Sequence, residues 1–113
     1  MTRPNILYLH SHDTGRYIQP YGFAVPTPRL QQFAEAGVLF RHAFCANPTW
    51  SPSRAALLTG MYPHANGMLG LSHLGGRLQN YRRHLSHFLR DHGYATALCG
   101  TQHEAKDTIG DLG

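Results

Sequence analysis

Three short stretches carry side chains able to do chemistry. In "HSHDTG", His10 to Gly15, two imidazoles and a carboxylate fall close together, so a single strand end could aim His12 or Asp13, with His10, at one cation. Carboxylates suit hard ions such as calcium or magnesium and neutral imidazole suits zinc, so these residues do not select the metal. A solvated loop in which Asp13 caps a turn is the plainer alternative. In "TWSPSRAALLTG", Thr49 to Gly60, a helix opens at Ser51-Pro52. Its unpaired N–H groups and positive dipole end, with the Ser53 hydroxyl and the Arg54 fork, form an anion-facing turn. An ordinary capped helix with a solvated arginine accounts for the same residues. In "GTQHEAKD", His103 can serve as acid or base, with Glu104 or Asp107 to orient it, or can be a simple surface histidine.

Positioning these loops requires regular elements, and the apolar pattern supplies candidates. Asn5 to His10 is a nearly continuous apolar run after Pro4, the pattern of a strand buried on both faces of a parallel sheet. Thr27-Pro28 predicts a helix start, with Leu30, Phe33, Ala34 and Gly37 at i, i+3, i+4 and i+7 and Gly37 closing about three turns. Val38 to Phe44 is a second extended segment. The helix opening at Ser51 ends at Thr59-Gly60, a loop rich in Gly, His and Asn runs to about Arg77, and a further helix is predicted over Tyr81 to His92. Tyr94 to Cys99 is a third strand. Strands alternating with helices predict an α/β fold with a mainly parallel sheet flanked by helices. In such folds ligands bind beyond the carboxyl ends of the strands, where all three chemical loops fall.

Bulk properties narrow the function classes. The chain of 113 residues has room for one domain, and a hydrophobic fraction of 42% argues against wholesale disorder. Its net charge of +4 comes from scattered arginines and one lysine; only Arg82 and Arg83 are adjacent, so no nucleic-acid stripe is predicted. Nine histidines raise the prospect of an active site. Cys45 and Cys99 have no metal-binding or redox spacing and read as free thiols. The apolar run after the N-terminus is too short for a signal-peptide core or a membrane span, so a cytoplasmic chain without a membrane partner is predicted.

Pro52-Ser53-Arg54-Ala55-Ala56-Leu57-Leu58-Thr59-Gly60 resembles the sulfatase signature Cys/Ser-x-Pro-Ser-Arg-x-x-x-Leu-Thr-Gly, matching every defined position except the first. "NILYLHSHDTG" resembles that family's opening strand and metal loop, "TPRLQQFAEAGVLFRHAF" its first helix and following strand, and "YPHANGMLGL" the segment after the signature. The resemblance implies an alkaline-phosphatase-like α/β fold. It implies hydrolysis of sulfate esters or sulfamates with a divalent cation, usually calcium, on a sulfated small molecule or glycan. On this resemblance Asp13 matches a metal ligand, and His12 stands where many members carry another Asp. Arg54 matches the arginine that holds the formylglycine nucleophile, Ser53 belongs to the signature read by the maturation machinery, and His103 matches the histidine of a Gly-Lys-x-His motif that assists sulfate release.

Departures from the pattern redirect the expectation. The position that should hold the convertible cysteine or serine holds Trp50, whose indole has no thiol or hydroxyl to become an aldehyde hydrate. Neither Ser51 nor Cys45 has the spacing to replace it. Thr101 stands in place of the sulfate-binding lysine and brings no positive charge, a loss that in such sites costs on the order of a hundredfold in rate. The family's later Asp-Asn or Asp-His metal pair has no counterpart. Residues 1–113 are therefore predicted to be the N-terminal, truncated part of a sulfatase domain, an incomplete fold and a catalytically silent relative. Three alternatives remain open. One is a binding module in which Arg54 holds a sulfated ligand while Trp50 stacks on a sugar ring. Another is a metal-dependent phosphatase using Thr49, Ser51 or Ser53, and the last is a remnant without function of its own.

Overall fold

The computed structural model describes residues 3–105, which fall into two compact units, Met1–Ala43 and Phe44–Gly113. The first is built around a 3-10 turn, Gln19–Tyr21, and helix α1, Pro28–Ala36, which pack on each other. Pro28 sits at the first helical position as predicted, because its missing N–H would be unpaired there anyway. Thr27 precedes it but does not cap it with its hydroxyl. Thr27 Oγ1 instead accepts from the Gln19 N–H at 3.0 Å, while the Thr27 N–H donates back to Gln19 Oε1 at 3.2 Å. This reciprocal pair closes the loop between turn and helix. The Tyr21 hydroxyl adds a bond to the Phe40 carbonyl at 3.1 Å. The predicted apolar stripe of α1 is present but not covered, and Phe33 is 77% exposed.

The three predicted strands have no regular secondary structure, and none is paired in a sheet among the described residues. The reason is physical: a strand is defined by its neighbour's N–H and C=O groups, and parallel strands need partners from distant chain. Leu7, Leu9, Val38, Phe40 and Leu98 stay exposed along these segments.

The second unit has a small core of Ala55, Met68 and Leu78, with Tyr81 packed against it. Helix α2, Trp50–Thr59, supplies Ala55 and Ala56, whose small side chains let the following loop approach the helix closely. Gly60 ends α2 in the left-handed conformation, φ 65°. The predicted loop contains a one-turn helix α3, Pro63–Asn66, and a 3-10 turn, Ser72–Leu74. Asn66 ties it together. Its Nδ2 donates to the Met61 carbonyl at 3.0 Å, its Oδ1 accepts from the Met68 N–H at 2.8 Å, and its own carbonyl accepts from the Gln79 N–H at 2.9 Å. Gly76 is required by space, since a methyl group there would lie 2.1 Å from the Gly70 carbonyl oxygen. The helix predicted over Tyr81 to His92 divides into a 3-10 turn, Tyr81–Arg83, and helix α4, Leu85–Asp91. The break falls at His84, whose extended backbone (φ −70°, ψ 143°) makes it the N-cap of α4.

Candidate functional site

The start of α2 and the loop Thr101 to Ala105 form one hydrogen-bonded assembly within the second unit. Backbone carbonyls in a loop must find donors, and here five in succession do. Arg54 Nη1 donates to the Thr101 carbonyl at 2.6 Å and the Gln102 carbonyl at 3.1 Å. Ser72 Oγ donates to the His103 carbonyl at 3.2 Å, the Tyr81 hydroxyl to the Glu104 carbonyl at 3.1 Å, and Gln102 Nε2 to the Ala105 carbonyl at 2.7 Å. Gln102 Oε1 accepts in turn from the Ala105 N–H at 2.7 Å and from the Glu104 N–H. Ser72 is itself anchored to α2, its N–H donating to Ser51 Oγ at 3.0 Å. Three elements far from it in sequence, carrying Arg54, Ser72 and Tyr81, thus fix one short segment.

That segment carries His103 at φ 57°, in the left-handed region. Among the described residues the only other non-glycine there is Asp13, φ 58°, so both positive-φ side chains are ones the sequence nominates for chemistry. The His103 ring lies against the Trp50 indole, centroids 5.6 Å apart and planes 30° apart. Trp50, Arg54, Thr101 and His103 are therefore brought together. Thr101 reaches Arg54 through its backbone carbonyl. Ser53 follows one residue before Arg54 on the same turn of α2 and is half-buried.

Other hydroxyls are committed. Ser51 is 1% exposed and bonded to Ser72, and Thr49 Oγ1 donates to Asn47 Oδ1 at 2.6 Å. Ser51 is thus shut off from solvent, while Thr49 is exposed with its hydroxyl turned to Asn47.

The Glu104 carboxylate does not bond the His103 ring, the direct contact predicted. It turns inward, where Oε2 meets His84 Nε2 at 3.1 Å with both side chains buried. Asp107, the other predicted orienting group, lies outside the described residues. Sequence reasoning did not single out His84, Ser72 or Tyr81; for His84, its place immediately before the helix-start residues Leu85-Ser86 was the available signal.

In the first unit, His12 Nδ1 lies 2.9 Å from Asp13 Oδ2, and both side chains are exposed. His10 does not join them; its Nδ1 is 2.7 Å from the Tyr8 hydroxyl. Calcium takes about six to eight oxygen ligands. The described residues offer no cluster of three or more metal-binding side chains, and Asp13 is already engaged by His12. This pair alone does not fit the cation that the resemblance implies. No helix among the described residues is long and apolar enough to cross a membrane.

Comparison with known proteins adds the context. The chain matches the family model described as Sulfatase over residues 4–108. It is 36% identical over 108 residues to human N-sulphoglucosamine sulphohydrolase, covering 93% of this chain and 22% of that protein. It is 46% identical over 66 residues to an ulvan-active sulfatase of Formosa agariphila, covering 58% and 11% respectively. It is 34% identical over 105 residues to an N-acetylgalactosamine-6-O-sulfatase of Bacteroides thetaiotaomicron, covering 89% and 20%. The chain thus spans no more than 22% of the length of these relatives. No solved structure matches it.

Proposed function

The chain belongs to the sulfatase family, and we propose that it carries the sulfate-gripping part of a sulfatase site with the covalent step removed. It holds the sulfate ester or sulfamate group of a small molecule or glycan without turning it over. The observation that carries this reading is the Trp50–His103 stack. Residue 50 corresponds by resemblance to the formylglycine position, and an indole can neither be oxidised to the aldehyde nor attack sulfur. His103, by resemblance the group that assists sulfate release, has its ring against that indole.

Gripping rests on different groups. The N-terminal turn of α2 presents its positive dipole end, and Arg54 adds a guanidinium of which Nη1 is spent on two carbonyls. The nitrogens Nε and Nη2 make no hydrogen bond among the described residues, which leaves donors for an oxyanion. Thr101 contributes no charge where the family places a lysine, so electrostatic stabilisation of a transition state is weakened as well. Relatives whose names specify ulvan, N-sulphoglucosamine and N-acetylgalactosamine-6-O groups support a sulfated sugar as the ligand class.

The test is incubation of the purified chain with 4-nitrophenyl sulfate. No nitrophenol release above the buffer rate is expected. Release that disappears in Arg54→Ala would overturn the reading.

A further inference from the structure

We propose that the buried His84–Glu104 pair is the positioning device for the aromatic face formed by Trp50 and His103. The inference concerns how the site is held, so it stands or falls separately from what the site binds.

His84 Nδ1 accepts from the Ser86 backbone N–H at 3.1 Å and lies 2.8 Å from Ser86 Oγ. An imidazole nitrogen that accepts a backbone N–H carries no proton, so the bonding pattern assigns the ring proton to Nε2. That proton points at Glu104 Oε2, 3.1 Å away. One ring therefore caps a helix with one nitrogen and anchors the loop of His103 with the other.

The anchor is directional. Glu104 is 2% exposed, and its second oxygen, Oε1, has no hydrogen-bond partner among the described residues. A buried carboxylate with a single partner is an unfavourable way to fill space, and an apolar side chain of similar volume stabilises a fold at least as well. The pair adds a fixed direction for residue 104. With the Glu104 side chain drawn to His84 and the Glu104 carbonyl to Tyr81, the preceding residue is held at φ 57°. In that conformation the His103 ring faces Trp50. His84 and Glu104 are positioning residues: they act on the aromatic face through the backbone of residue 103.

Trp50 is the sole tryptophan, so emission excited at 295 nm comes from this indole, and the His103→Ala variant isolates the part owed to the stack. The experiment measures emission intensity and acrylamide quenching in the full 113-residue chain, without ligand, alongside far-ultraviolet circular dichroism. His103→Ala defines the unstacked indole. His84→Asn keeps a capping acceptor for α4 but is too short to reach Glu104. Glu104→Ala removes the anchor and Glu104→Gln keeps an acceptor for Nε2–H.

His84→Asn and Glu104→Ala should shift Trp50 emission and quenching to the His103→Ala values while the helical signal stays unchanged. Glu104→Gln should retain the parental values. The proposal is overturned if the first two match the parent, if Glu104→Gln behaves like Glu104→Ala, or if His103→Ala itself changes nothing. Should Glu104→Ala fail to fold, His84→Asn decides; loss of helix in both overturns it too, since the pair then serves folding and not position.

Discussion

The indole of Trp50 lies against the imidazole of His103 with 5.6 Å between ring centroids and 30° between planes. The chain between them must fold back to make that contact, and the side chains that bring it about are Arg54, Ser72, Tyr81 and His84. The stack joins the start of α2 to the loop before the end of the described chain, and several predictions can be read from how it is held.

Arg54→Ala should loosen the loop as well as weaken anion binding. The variant leaves the Thr101 and Gln102 carbonyls without their charged donor. Hydrogen bonds to a charged group contribute about 1.5–3 kcal/mol, and the half-buried setting of Arg54 places the loss toward the lower end. Urea unfolding of the second unit measures it. Arg54→Lys, a point charge without the fork, should recover only part of the loss.

Met68→Ala should be the most damaging single truncation in the second unit. Met68 is fully buried, and the core it shares with Ala55 and Leu78 has few other apolar side chains to close the void. Truncating a buried Met to Ala costs about 2–5 kcal/mol. The denaturation midpoint should fall sharply, whereas Leu74→Ala at an exposed position should leave it nearly unchanged.

The isolated chain should self-associate as concentration rises. Leu7 and Leu9, Val38 and Phe40, and Leu98 are exposed on segments without sheet pairing among the described residues, and bare apolar segments template association with other chains. Light scattering should show growth in mean mass with concentration, reduced in Leu9→Lys and Phe40→Lys. A mass that is constant over a wide concentration range would contradict this.

These segments also mark what was legible in the sequence. The run from Asn5 to His10 announces a buried strand through composition alone, but pairing depends on distant partners that no local pattern names. Helices fared better because their signals are local: Pro28 at the first turn of α1 and Gly60 after α2 sit where predicted. Thr27 kept its place before α1 while its hydroxyl went to Gln19, a partner eight residues back.

The site was legible in its members and not in its wiring. Arg54 and His103 stand out by their match to family motifs and Trp50 and Thr101 by their departure from them, and the fold gathers all four. Glu104 sits beside His103 in sequence and was a natural choice to orient it. Its partner, His84, is twenty residues earlier, at the N-cap of α4, where no local pattern around His103 points. Arg54 was read as facing an anion, yet part of its guanidinium answers to loop carbonyls nearly fifty residues away.

The central claim, a sulfate-gripping site without turnover, is tested most directly by titrating the purified chain with N-sulfoglucosamine, following Trp50 emission and free sulfate in the same samples. The account predicts a saturable change in emission, lost in Arg54→Ala, with no sulfate released. Sulfate release that depends on Arg54, or the absence of any saturable change, would contradict it.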